Sequence, residues 1–255
     1  MEAALRAPIS GPVVWFEEIG STNDELARRA ALGATEGLVV GADHQHAGRG
    51  RRGRVWLDEP DRGLTVSVLL RPEVPVQSAA TIPLVAALAV ADMAASLGCP
   101  EVTIAWPNDV FVRGAKVAGI LCELAGHGEH VHHVVVGIGV NVGQTPAVPG
   151  ARWTPGCLAD HAPGVSRQAA LTALLHSLAD RYAEWSAGGA RQTVAAFSAR
   201  DGLRGKELSL DVGSRTVTGV GSGIDAEGRL MAQTDAGLET FASGEVVRII
   251  SRDDQ

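Results

Sequence analysis

The stretch from His132 to Val142, HHVVVGIGVNV, is apolar at nearly every position and shows no alternation with polar residues. A strand of this kind must have both faces covered, so it belongs in the middle of a sheet. Residues 78–97, SAATIPLVAALAVADMAASL, are too apolar all round for a surface helix. They predict a long helix lying against that sheet. The chain is thereby committed to a layered fold, with helices packed on strands.

Further strands are expected at 13–19, 38–42, 63–70, 101–105, 109–112 and 116–124, with Trp106-Pro107-Asn108 breaking the pair around it. Ser21-Thr22-Asn23-Asp24 supplies helix-capping chemistry for a helix continuing from Glu25 to Leu32. Two more helices are expected at 166–187 and 190–200. The pattern changes near Asp201. From Lys206 to Ile250 about five short strands are separated by Gly213, Gly223, Gly228, Gly237 and Gly244, the punctuation of a small β-barrel. The expectation is an α+β domain over 1–200 and a barrel over 201–255. A chain of 255 residues has room for one large domain and such an appendage.

Charge narrows the partners. The 29 acidic residues outnumber 22 basic ones, for a net charge of -7. That argues against a surface devoted to nucleic acid or to an anionic membrane. Of the basic residues only Lys116 and Lys206 are lysines, and Arg49, Arg51, Arg52 and Arg54 crowd into the run GRGRRGR at 48–54. Glycines let backbone N–H groups approach an anion, and the interleaved guanidiniums can grip carboxylate or phosphate in bidentate fashion. Such a run can be a solvated loop, a nucleic-acid-binding segment or a small-anion grip. Its place between two core strands, with Trp56 close behind, favours the grip. Repulsion among its like charges predicts a loop that is mobile until an anion neutralises it.

Cys99, Cys122 and Cys157 are widely spaced, so neither a disulfide framework nor a zinc site is expected. His130, His132 and His133 read as a turn and strand edge, not a metal site. The N-terminus lacks the basic and apolar regions of a signal peptide. No charge-free apolar stretch of membrane-span length is read, so no membrane association is expected. Cytoplasmic location follows as an expectation.

Taken alone, Trp106-Pro107-Asn108-Asp109 is a turn and Lys116 a surface charge. Taken in order, the motifs resemble those of the biotin protein ligases, also called biotin–[acetyl-CoA-carboxylase] ligases. They are Ser-Thr-Asn at 21–23, Gln45, GRGRRGR at 48–54, Trp56, WPND at 106–109, KVAGIL at 116–121, GIGVNV at 137–142 and GEVVRI at 244–249. The resemblance runs from about residue 13 to 251. It implies a class II aminoacyl-tRNA synthetase-like catalytic domain of the biotin–lipoate ligase type, a mixed sheet flanked by helices. An SH3-like barrel is expected to follow.

It also implies two half-reactions in one pocket. Biotin and MgATP give biotinyl-5′-AMP and pyrophosphate, and the adenylate then acylates one lysine of the biotin carrier domain of a biotin-dependent carboxylase. On this resemblance Lys116, Arg49 and Arg51 are the catalytic residues. Arg49, Gly50 and Arg51 close over biotin and the phosphates. Arg52 and Arg54 serve the ATP phosphates or retain the adenylate. Lys116 sits near both the carboxylate and the α-phosphate. Ser21, Thr22, Asn23 and Gln45 hydrogen-bond the ureido ring, and Gly119 admits close approach to biotin. Trp56 walls the adenine, Asn141 contacts the adenine side, and Asn108 or Asp109 serves the nucleotide or Mg2+. No protein-held metal is expected.

Ala105 departs from the pattern, since these ligases usually place a lysine immediately before WPND. His46 has no assigned role. Trp106 is expected in the core, and Trp15, Trp153 and Trp185 as packing residues. Because the catalytic pattern begins by about residue 13, no winged helix and no specific DNA binding are expected. A homodimer through the catalytic sheet is allowed. Two other readings stay open: a lipoate or octanoate acyltransferase on a similar core, and a nucleic-acid-binding module. The arginine loop and terminal barrel weigh against the first, net charge and loop placement against the second.

Overall fold

The computed structural model describes residues 9–58, 60–213 and 215–250, without the side chain of Ile250. Residues 1–8 and 251–255, the outer ends of the two expected domains, lie outside them. Seven strands, Val13–Ile19 (β1), Val39–Gln45 (β2), Gly63–Leu70 (β3), Val102–Ala105 (β4), Asp109–Val112 (β5), Ala115–His127 (β6) and His130–Asn141 (β7), form one mixed sheet. Their order is β1-β2-β3-β7-β6-β5-β4. Only β1 and β2 run parallel; every other neighbouring pair is antiparallel. The stretch read as central is central: β7 pairs with β3 from Gly63↔Asn141 to Leu70↔Val134, and with β6 on its other edge.

The two faces of β7 are covered differently. Val134, Val136, Ile138 and Val140 join the main core, whereas Val135 faces a smaller cluster with Leu26, Leu38, Val40 and Leu69. The period-two alternation of a strand then puts Gly137, Gly139 and Asn141 on the same side as Val135. An apolar run with no polar alternation hid this, because glycines stand where the second face gives way to a cleft.

The main core is closed by helices Val76–Ala79 (α2), Ile82–Ser96 (α3), Arg167–Gly188 (α4) and Ala190–Ser198 (α5). The single helix expected over 78–97 is two. Pro83 falls in the first turn of α3, where its missing N–H and ring are tolerated. One continuous helix would have put it in the interior. The stretch Val76–Ser96 is long and apolar enough to cross a bilayer, yet most of it is buried inside the protein. Thr81, at the break, accepts a 2.8 Å hydrogen bond from Trp185 Nε1. On the opposite face of the sheet, Thr22–Ala31 (α1) begins beside β3, capped by Ser21 Oγ on Asp24 N at 3.4 Å.

After α5, strands Glu207–Asp211 (β8), Thr216–Ile224 (β9), Leu230–Thr234 (β10), Gly237–Phe241 (β11) and Glu245–Ile250 (β12) make an antiparallel sheet ordered β11-β10-β9-β8-β12. Its apolar residues, among them Leu208, Leu210, Leu230 and Phe241, continue the core of the first sheet. Trp106, buried as expected, donates Nε1–H to Gly228 O at 3.0 Å. The WPND turn, whose Trp106–Pro107 bond is cis, is thus attached to the terminal sheet.

Candidate active site

A cleft of about 400 Å³ opens over the glycine-bearing face of β7 and β6. Its floor exists because side chains are absent. A Cβ at Gly137 would come within 2.1 Å of Asn23 Oδ1, and one at Gly139 within 2.3 Å of Trp56 Cε2. At Gly119 it would meet Trp56 Cζ3 at 3.0 Å and Lys116 Nζ at 3.4 Å. Trp56 therefore lies flat on glycines, with Lys116 Nζ 5.8 Å from its ring centroid.

One end of the cleft is built from uncharged hydrogen-bonding groups. Ser21, Asn23 and Gln45 line it. Gln45 Oε1 accepts from Thr22 N at 2.8 Å and from Thr22 Oγ1 at 3.0 Å, so the amide nitrogen is the end left to donate. Asn23 Nδ2 donates to Glu123 Oε2 at 2.6 Å and to Leu121 O at 3.3 Å, while Ser67 Oγ donates to Asn23 Oδ1 at 2.6 Å. Thr65 and Ser67 sit on this face of β3 because the alternate residues Leu64, Val66 and Val68 point into the core. Thr22 does not line the cleft. It stands behind Gln45 and orients it.

The glycine–arginine run spans the middle. It forms a small hairpin, with Gly50 N donating to Arg54 O at 2.7 Å and Trp56 N to Gly48 O at 2.9 Å. Arg52 and Gly53 turn the chain at φ of 54° and 73°. Like-charge repulsion does not prevent this, because carboxylates of the chain itself answer the guanidiniums. Arg49 pairs with Asp24 at 2.6 Å and Glu123 at 3.0 Å, Arg52 with Asp211 at 2.7 Å, and Arg54 with Glu245. Arg51 differs. Among the described residues it has no carboxylate in ion-pair contact, only Asn108 Oδ1 at 3.4 Å, and burial pushes its guanidinium below the usual arginine range. Arg49, Gly50, Arg51 and Arg54 line the cleft; Arg52 is turned away toward the terminal sheet.

The far end is cationic around one buried carboxylate. Asp109, 5% exposed, accepts from Lys116 Nζ at 2.7 Å, Arg152 Nη2 at 2.9 Å and Trp153 Nε1 at 3.1 Å. Burial lowers the Arg152 guanidinium to about 10. The segment carrying Arg152 and Trp153 is tied to β6 by Lys116 N on Thr154 O at 2.8 Å and Gly156 N on Lys116 O at 2.9 Å. Asn141, which lines the cleft, holds it with Nδ2 on Gly156 O at 2.9 Å. Ala105 is buried and opposite Asp109 in the β4–β5 register, so the carboxylate beside this departure has two cations on it already. Among the described residues no cluster of three His, Cys, Asp or Glu could hold a metal.

Sequence reasoning missed Glu123, Arg152 and Glu245 and read Trp153 as packing. Arg152 and Trp153 lie in a proline-rich connection with no motif, and Glu245 acts from the other domain.

Known proteins share this chain's sequence pattern and fold. Residues 15–141 match the biotin/lipoate A/B protein ligase family, and residues 205–248 match the biotin protein ligase C-terminal domain. The chain is 37% identical over 239 residues to a biotin–[acetyl-CoA-carboxylase] ligase of Mycobacterium tuberculosis, covering 91% of this chain and 87% of that one. It is 36% identical to the corresponding ligase of Paracoccus denitrificans, covering 89% and 96%. The structure of a biotin protein ligase from Aquifex aeolicus in complex with biotin and ATP superposes with a TM-score of 0.78 at 27% identity, covering 91% and 96%. The chain belongs to the biotin/lipoate A/B protein ligase family, in the branch of the biotin protein ligases.

Proposed function

We propose that the chain activates biotin with ATP and transfers the biotinyl group to one lysine of a carrier domain of a biotin-dependent carboxylase. The observation that carries this is the polarity of the cleft. An amide- and hydroxyl-lined end sits at Ser21, Asn23 and Gln45, and a cationic end is gathered on Asp109. A ureido ring needs donors and an acceptor without charge, which the first end supplies. The second end suits two anions brought together.

In the first half-reaction a biotin carboxylate oxygen attacks the α-phosphorus, and the bond to the β-phosphate oxygen breaks, releasing pyrophosphate. The extra charge on the phosphoryl oxygens is met by Lys116 and Arg51, preorganised in a cleft that holds the reactants together. Arg51 is suited to that task because no carboxylate among the described residues is in ion-pair contact with it. Lys116 is aimed by its 2.7 Å contact with Asp109. In the second half-reaction the carrier's lysine amine attacks the acyl carbon. An amide forms, AMP leaves with the bond's electron pair, and a proton is released. Trp56 offers a flat face for the adenine. Mg2+ would be supplied with ATP and held chiefly by phosphate oxygens; Asn108 or Asp109 would be the side chains to assist, and the ion would supply charge neutralisation at the phosphates. The catalytic unit is assigned to 1–200 and the terminal unit to 201–255.

Biotin-dependent exchange of pyrophosphate into ATP, followed by transfer to a carrier domain, is the test. No exchange with biotin overturns the reading. The uncharged end also separates biotin from lipoate, whose dithiolane has no amide to satisfy, and competition between the two acids in a thermal-shift assay checks it. Specific DNA binding is not part of the proposal, since the densest basic run turns into the cleft and onto carboxylates. A cytoplasmic place is, in keeping with three free thiols.

A further inference from the structure

Five charged side chains alternate in sign across the nucleotide end: Arg54, Glu245, Arg152, Asp109 and Lys116. Each comes from a different segment. Arg54 is on the glycine–arginine hairpin, Glu245 opens β12, Arg152 follows β7, Asp109 opens β5 and Lys116 lies at the start of β6. Glu245 is 8% exposed and does not line the cleft, yet both guanidiniums it holds do.

Asp211 and Glu245 are direct register partners on β8 and β12, so their side chains leave the same face of the sheet. Two acids placed opposite one another are unfavourable in an antiparallel pair. Here they receive Arg52 and Arg54, two residues apart on the hairpin, one each. The hairpin in turn needs carboxylates to offset its own repulsion. Each side relieves the electrostatic conflict of the other.

We propose that the Asp211–Glu245 pair is a docking site by which the terminal sheet positions the arginine hairpin, with Glu245 fixing Arg54 and Arg152 as a pair for the nucleotide. Both are positioning residues, acting through the guanidiniums. The proposal rests on the ligase reading above. It implies that the terminal sheet governs the use of ATP and leaves biotin binding, built from α1, β2 and β7, nearly untouched.

The test measures the KM for ATP in biotin-dependent pyrophosphate exchange beside the Kd for biotin alone, for the full chain and its variants. Loss of a charge-assisted contact predicts that Glu245→Gln raises the KM for ATP by about tenfold. The exposed contact of Asp211→Asn predicts a rise of about two- to threefold. The Kd for biotin should stay within about twofold in both. The variant Glu245→Gln/Arg54→Gln should be no worse than Arg54→Gln alone, because the carboxylate acts through that arginine. An unchanged or lowered KM, or fully additive losses, overturns the proposal. If Glu245→Gln does not unfold cooperatively, Asp211→Asn and Arg52→Gln, both on exposed side chains, carry the same cycle. Absence of exchange in the unmodified chain overturns the ligase reading and this one together; exchange with an unmoved KM overturns this one alone.

Discussion

Lys116 Nζ lies 2.7 Å from one oxygen of Asp109, and Arg152 occupies the other oxygen at 2.9 Å. One buried carboxylate thus collects two cations at the place where two substrate anions would meet. Removing Lys116 takes away charge that is worth most in a preorganised site, where a single stabilising donor accounts for about 10²–10³ in rate. Lys116→Ala should therefore lower pyrophosphate exchange by about that factor. Lys206, exposed on the approach to β8, has no place in the cleft, and Lys206→Ala should stay within about twofold. Exchange rates for both variants check this; equal effects would reject the role given to Lys116.

The glycines of β7 predict a split. Neither Gly137 nor Gly139 has a positive φ, so alanine is acceptable to the backbone at both and only space is at issue. At Gly139 the added methyl strikes the indole of Trp56, and at Gly137 it strikes the carboxamide of Asn23. Gly139→Ala should raise the KM for ATP by about tenfold or more, and Gly137→Ala the Kd for biotin similarly, each with smaller effects on the other ligand. Calorimetry with biotin and exchange kinetics with ATP read the two separately. A matching response to both ligands would show that the ends of the cleft are not independent.

Thr22 tests the difference between touching and positioning. Its hydroxyl and N–H both end on Gln45 Oε1, and it does not line the cleft. Thr22→Val keeps the N–H contact and the shape but deletes the hydroxyl, which donates to Gln45 Oε1 at 3.0 Å and meets Ser67 Oγ at 2.8 Å; the Gln45 bond alone contributes about 1 kcal/mol. Biotin should bind about fivefold more weakly, and Thr22→Val combined with Gln45→Ala should be no worse than Gln45→Ala alone. Additivity would instead place Thr22 in contact with biotin.

Much of this was legible in the residues themselves. The strand order could not be read, but β1, β3 and β5 begin and end where the apolar runs and turn residues said they would, because those signals are local. The motifs also marked most of the lining, since Ser21, Asn23, Gln45, Arg51, Trp56 and Lys116 carry chemistry unusual for their positions. The misplacements share a cause. Thr22 and Arg52 look like their neighbours in sequence, and only the direction of the side chain separates a lining group from one behind it. Arg152 and Glu245 gain their meaning from Asp109 and Arg54, which are 43 and 191 positions away along the chain, and no local pattern encodes such a meeting.

The single tyrosine offers a pH test of the core beneath the site. Tyr182 is 3% exposed, donates to Glu36 Oε1 at 2.8 Å and stacks on Trp185. Burial first, and the Glu36 carboxylate second, raise its phenol far above the ordinary value of about 10. Below pH ~10 both folded and unfolded chains keep the proton, and the contact contributes in full. Above it the unfolded chain releases the proton while the folded chain holds it, so stability falls as pH rises. Arg152, lowered to about 10 by burial, works in the opposite direction, since the folded chain then sheds a proton the unfolded chain keeps. The comparison is therefore between the unmodified chain and Tyr182→Phe, in which Arg152 is unchanged. Denaturant unfolding at increasing alkaline pH should show the steeper loss of stability in the unmodified chain. The tyrosinate absorbance should rise only together with loss of the folded circular dichroism; a tyrosinate signal that precedes unfolding would show that Tyr182 titrates freely and that the Glu36 contact does not hold its proton.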